Sequence, residues 1–256
     1  MSRCAPALAL AVCPALAQQS GDALKLRMSE IELGAFKERL SGGRADWNSV
    51  YLEGAHYIAE RQTLVGGLRM TERFGLHDDE QWIGYYHPLA PTWTALVEAS
   101  VSEQHRVLPK HSVFGQLAKQ LPGGWSLSLG LRRSEYNLGA VDVVSAGVER
   151  YWGNFRAAYT LYSGRPAGGP SGQAHRFQLN YYYGERSSVG AAVTAGREVE
   201  NIGPPAGILI TDVRNLTING RHWMTPQWGW SWDLFAHEQG DLYRRQGFRI
   251  GLRHRF

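Results

Sequence analysis

Apolar and polar residues alternate with a period of two along nearly the whole chain, and no apolar run approaches the roughly 18–20 residues of a membrane-spanning helix. Between Trp125 and Arg132 the side chains of Trp125, Leu127, Leu129 and Leu131 share one parity, and Ser126, Ser128, Gly130 and Arg132 share the other. Successive side chains of a strand point to opposite faces, so such a segment has one greasy face and one polar face. A helix would smear both sets around its axis. The same grammar recurs from Trp93 to Ser102, Phe155 to Leu161, Arg176 to Tyr183, Trp228 to Leu234 and Phe248 to Arg253. Weaker alternation fills 31–40, 48–59, 63–74, 80–88, 112–121, 141–152, 188–198 and 213–223. The expectation is an all-β chain of about 14 strands, with 12 as the alternative.

The first residues read differently. Arg3, an Ala/Leu/Val stretch and Ala15-Leu16-Ala17 form a basic start, an apolar middle and a small-x-small cleavage site, the pattern of a secretory signal. Cleavage is expected after Ala17, followed by a short lead over 18–30 and a barrel over 31–256. Both cysteines, Cys4 and Cys13, fall in the removed piece, which excludes disulfide scaffolds and thiolate metal sites from the mature chain. The aromatic content, 9 Trp, 12 Tyr and 8 Phe, excludes a disordered chain. The net charge of +4 is scattered and alternates in sign without a Lys/Arg block, so nucleic acid is not an expected partner.

Connection lengths separate the two kinds of β-protein that alternate. Links after even strands are expected to be short (60–61, 89–91, 122–124, 153–154, 184–186, 225–226). Links after odd strands are expected to be mostly longer (41–46, 75–79, 104–110, 137–140, 163–174, 199–212, 239–242). Short turns at one rim and longer loops at the other are the habit of outer-membrane barrels. Trp93, Trp125, Trp152, Tyr183 and Trp228 sit near strand ends on the apolar parity, as an aromatic belt would. Charges of both signs occupy mid-strand on the polar parity. A dry sandwich core could bury these only at great cost, whereas a wet lumen accepts them. These features together predict a transmembrane antiparallel up-and-down β-barrel with the apolar face on lipid.

The lumen then holds the candidate functional residues: Arg69, Arg73, Glu98, Arg132, Glu149, Arg156, Arg176, Asp233, Arg249 and Arg253. The inward set further includes Arg221, Arg255, Glu32, Glu38, Glu53, Asp142 and Glu198. Barrels of eight strands are filled by side chains and those of 16–18 hold an aqueous channel, so fourteen leaves a narrow pore or a charge-plugged lumen open. No metal-ligand spacing stands out, no phosphate loop precedes a helix, and no cofactor is expected. His111 and Ser112 are adjacent and so face opposite ways. No catalytic residue is assigned, although remote Ser and His residues brought together across strands keep a lipid-modifying barrel enzyme as the alternative.

The segments IELGAFKERLSGGRADW (31–47), LPGGWSLSLGLRRSEY (121–136), VERYWGNF (148–155) and GFRIGLRHRF (247–256) resemble the YaiO family of outer-membrane β-barrels. The Tyr151-Trp152-Gly153-Asn154 turn and the Leu121-Pro122 turn leading into Trp125 carry the closest match. The resemblance implies a Gram-negative outer-membrane location and brings no catalytic residues. The expected function is non-enzymatic: a structural barrel, or a narrow passive pore for a small solute or surface polymer. The expected surroundings are outer-membrane lipid and lipopolysaccharide. The alternating last strand ending on Phe256 reads as the assembly signal presented to the barrel-assembly machinery, and a monomer is expected over an oligomer.

Overall fold

A computed structural model describes residues 28–203 and 207–256; the expected signal segment and residues 18–27 of the lead lie outside the described residues. The chain forms β1 (Met28–Leu40), β2 (Trp47–Ala59), β3 (Gln62–Arg73), β4 (Leu76–Ala90), β5 (Trp93–Ser102), β6 (His111–Leu121) and β7 (Trp125–Tyr136). It continues through β8 (Gly139–Trp152), β9 (Phe155–Pro166), β10 (Gly172–Tyr183), β11 (Ser187–Gly203), β12 (Gly207–Trp223), β13 (Trp228–Gln239) and β14 (Tyr243–Arg255). One 3-10 turn, Pro122–Gly124, joins β6 to β7. Each strand pairs antiparallel with its sequence neighbours, and β1 pairs with β14 to close a 14-stranded barrel. Closure leaves no strand edge, which is the condition for a sheet to sit in hydrocarbon.

The strands are steeply tilted. Following Cα partners from Ile31 gives Gly54, Gly66, Ile83, Ala99, Val113, Arg133 and Asp142. Ile31 lies near the rim that carries both termini, and Asp142 lies near the opposite rim. A closed sheet must shear in this way.

Burial shows the inverted pattern that a lipid-immersed barrel requires. Leu129 is 65% exposed and Met70 61%, with Leu33, Leu52, Leu68, Ile83 and Val97 on the same outer surface. Glu30, Glu32, Glu38, Arg73 and Asp78 are buried. Trp93, Trp125, Trp152 and Trp228 are outward, and all stand at the rim of the termini and short turns. Lys119 lies 5.1 Å from the Trp93 ring centroid, and Arg150 the same distance from that of Trp125. These cations sit where aromatic rings meet the wet interface.

The opposite rim corrects the expected loop lengths. Several links placed there as loops are strand: β4 starts at Leu76, β8 at Gly139, and β11 and β12 continue through most of 199–212, with Val199 paired to Ile210. A two-stranded ribbon satisfies its inner backbone groups outside the bilayer as well as within it, so pairing continues past the barrel wall. The asymmetry between rims is therefore carried as much by strand extension as by loop length. The 103–110 connection between β5 and β6 is the expected long loop.

Glycine is required at the β1–β14 seam. A Cβ at Gly34 would strike the Tyr51 hydroxyl, and one at Gly251 would strike Glu32 Oε1 and come within 2.7 Å of Tyr51 Oη. The Gly251→Val variant is expected to overpack this seam at a cost of about 1–3 kcal/mol. A lowered urea midpoint of the refolded barrel would show it, while Leu252→Val on the outer face leaves the midpoint nearly unmoved.

Candidate functional site

The interior is built from strand parity and register. Once β1 and β14 pair, Glu32 accepts hydrogen bonds from Arg249 Nη2 (2.9 Å), Arg253 Nη1 (2.5 Å), Tyr51 Oη (2.7 Å) and Ser231 Oγ (2.7 Å). Arg249 Nε donates to Tyr51 Oη at 2.6 Å, and its guanidinium stands 4.3 Å over that ring. The same guanidinium lies 3.5 Å from Glu53 and 3.8 Å from Asp233. Arg69 bridges Glu53 (3.2 Å) and Glu80 (3.7 Å), and Glu30 takes Arg253 (2.8 Å) and Arg255. The wall from β13 through β14 and β1 to β4 is thus one continuous lattice of charge-assisted bonds.

The remaining interior charges fall into smaller groups. Arg132 bonds Glu98 at 2.8 Å and stacks 4.7 Å over Phe114. Arg156 pairs with Glu149 at 2.6 Å and donates to Asn180 Oδ1. Near the outer mouth, Arg73 and Arg245 lie 4.7 and 4.8 Å from the Trp47 ring, and Arg245 bonds Glu38 at 2.6 Å. Trp47 packs with Leu40 and Tyr243 in a small buried cluster, with Phe74 at its edge. An aromatic plug therefore fills one side of the mouth.

Among the residues singled out from the sequence, Arg69, Glu98, Arg132, Glu149, Arg156, Asp233, Arg249 and Arg253 join these networks, and Arg73 joins the plug. Asp142 does not face inward as expected. Arg133 is its Cα partner, and the two form an exposed ion pair at 3.1 Å on the outer surface. The reason is register: Arg132 and Val143 are the inward pair on that rung, so the next rung points out. Glu30, Glu80, Arg245 and Trp47 were not anticipated as interior groups. Glu30 lies before the expected strand start at 31, Glu80 lies in a strand with polar and apolar residues on both parities, and Arg245 shares the parity of Arg249 and Arg253 and could have been found by it.

The wall from β8 to β12 is different. At mid-barrel, apart from Arg176, it presents small or uncharged groups: Gly147, Ala158, Thr160, Ala192 and Thr194, with the amides of Gln178, Asn180, Asn215 and Asn219 between them. Arg176 stands there with Thr160 and Thr194 as its neighbours across the two ladders. Arg221, nearer the short-turn rim, has Ser188 and Ser231. Neither arginine forms an ion pair among the described residues.

Two features shape the outer mouth. Asp78, fully buried, accepts backbone N–H bonds from Arg106 (2.8 Å), Val107 (2.6 Å) and Leu108 (2.7 Å). These bonds draw the 103–110 loop over the β4 side. On the β11–β12 ribbon above the barrel wall, Gln239 donates to Glu198 at 2.9 Å. Burial, and then the charge of Glu198, push the nearby Glu200 carboxyl up to about 8.

One Ser–His pair does form across strands. Ser29 Oγ lies 2.8 Å from His56 Nδ1 on the lipid-facing surface near the short-turn rim, beside a shallow groove lined by Ile31, Leu64 and Gly66. The Ser29 N–H is taken by the Phe256 carbonyl, so it cannot serve an oxyanion. Nothing acidic bonds the imidazole among the described residues. The pair satisfies two polar groups at the membrane interface.

Removing Glu32 by Glu32→Ala leaves Arg249 and Arg253 short of their strongest partner. The expected loss is about 3–5 kcal/mol, as for a broken buried pair, measured as a fall in the urea midpoint. Asp78→Ala leaves three backbone donors without an acceptor, at about 1–3 kcal/mol for each that stays buried. Its expected signature is local: faster proteolysis within 103–110, with the barrel itself intact on gels.

Solved structures of similar shape include a hydrocarbon channel and an outer membrane protein. The CymD monoaromatic hydrocarbon channel matches with TM-score 0.57 at 8% identity, over 90% of this chain and 87% of that one. A loop L8 deletion mutant of OmpT, an outer membrane protein of Vibrio cholerae, matches at 0.52 with 9% identity, over 89% and 98%. OmpF of Salmonella typhi, in complex with daunomycin, matches at 0.51 with 8% identity, over 90% and 97%. At such identities the likeness is one of fold. No curated protein matches the sequence. The YaiO membrane beta barrel domain matches residues 28–200. With its closed 14-stranded barrel, lipid-facing apolar surface and charged interior, the chain belongs to the YaiO family and is a β-barrel of the bacterial outer membrane.

Proposed function

We propose that this barrel is a narrow passive pore for small polar solutes, with its path along the β8–β12 side of the lumen. The observation that carries this is the division of the interior into two unlike walls. Long charged side chains on β13–β4 bond one another, whereas the mid-barrel inward positions of β9–β12 other than Arg176 are small or uncharged, among them Ala158, Thr160, Gln178, Ala192 and Thr194. A solute on that path meets hydroxyls and side-chain amides at mid-barrel. The reading is non-enzymatic: the Ser29 N–H is taken by the Phe256 carbonyl, and among the described residues no acidic group bonds His56.

The C-terminal strand is proposed as the segment that the assembly machinery receives. Phe256 is 66% exposed beyond a strand whose apolar parity of Phe248, Ile250 and Leu252 is interrupted only by His254, and it exchanges backbone bonds with Ser29 at the closing seam. The protein is proposed to act as a monomer in lipid that includes lipopolysaccharide.

Reconstitution of the purified, heat-modifiable barrel in a planar bilayer tests the pore. Small, voltage-independent conductance steps are expected. Ala158→Trp should cut them severely, and Leu129→Trp on the lipid face should not. A folded barrel that stays silent overturns the reading.

A further inference from the structure

We propose that the pore prefers small anions and that Arg176 and Arg221 supply the preference. The inference rests on the pore reading above and concerns the charge that a passing solute meets. The carboxylates of the barrel wall are committed. Glu30, Glu32, Glu38, Glu53, Glu80, Glu98 and Glu149 each pair with an arginine. Asp78 is occupied by three backbone amides, and Asp233 lies 3.8 Å from Arg249.

The arginines are not all committed. Arg176 and Arg221 make no ion pair among the described residues, and their neighbours across both ladders are threonines and serines. Both stand on the β9–β12 wall that the proposed path follows, where the other mid-barrel inward side chains are uncharged. Arg176 stands at mid-strand on β10, and Arg221 is two residues from the short-turn end of β12. A solute on that path meets one arginine without an ion pair at mid-barrel and a second near the short-turn rim.

A guanidinium presents a planar fork of donors and keeps its charge at any working pH. Thr160 and Thr194 beside Arg176 add hydroxyls that can donate to the same oxyanion. The ligand class is therefore a small anion, either inorganic or bearing a carboxylate or phosphate. Among the described residues, no unpaired carboxylate stands beside these two arginines on the ladder. Arginine in a pore lining is a general device for anion passage. Here it is built as two separated stations, each weak enough to release what it holds.

The test is the reversal potential of the full chain in a planar bilayer across a KCl gradient. The wild-type potential is expected on the chloride side of zero. Arg176→Gln and Arg221→Gln should each move it toward zero, and the double variant should move it further. Arg133→Gln, which alters only the outer surface, should leave it in place. Inorganic phosphate should reduce the chloride current of the wild type more than that of Arg176→Gln. A conducting barrel that prefers potassium, or whose potential is indifferent to both lumen substitutions, overturns the anion proposal and leaves the pore standing. A folded but silent barrel overturns both.

Discussion

Every backbone N–H and C=O within a bilayer must find its partner inside the protein, since hydrocarbon offers none. Pairing of β1 with β14, from Glu30 opposite Arg255 to Leu40 opposite Arg245, meets this demand at the one seam that sequence adjacency cannot close. The rest of the molecule follows. Once the sheet is closed, its two faces are inequivalent. One looks onto lipid and takes Leu, Val, Ile and the rim tryptophans; the other is enclosed and takes the charge. The seam carries the densest part of the polar lattice, with Glu32 on one side and Arg249 and Arg253 on the other. The elements most distant in sequence are therefore tied by side chains as well as by backbone.

Enclosure changes what those charges cost. An arginine in a dry core would need full pairing, but a hydrated lumen tolerates partial pairing. The interior shows both conditions. Around Glu32 every oxygen is used, by partners on β2, β13 and β14. Across the barrel Arg176 stands among threonines. The first arrangement ties one wall together. The second leaves a guanidinium available to a solute. The aromatic plug around Trp47 and the Asp78-anchored loop narrow the outer mouth on the tied side, so structure and charge divide the barrel the same way.

Much of this is legible in the linear chain. Trp125 to Arg132 announces a strand with unlike faces, and the Trp residues at one set of strand ends announce an interface. Loop lengths were read less well: Val199 and Ile210 looked like connection and are paired strand, because a ribbon keeps its ladder beyond the bilayer. Asp142 was read onto the wrong face, because a one-residue change of parity exchanges lumen for lipid.

The sequence by itself determined the period-two pattern and the sorting of charge to one face and apolar bulk to the other. These are local properties, fixed by neighbours two residues apart. Only the tertiary structure decided which charges meet. Arg249 and Glu32 are 217 residues apart in the chain, and Ser231 and Glu32 are 199 apart. Their contact depends on the register and tilt accumulated over the strands between them. Parity names the face of a side chain but not its depth or its rung, and depth and rung are what separate a neutralised arginine from a free one.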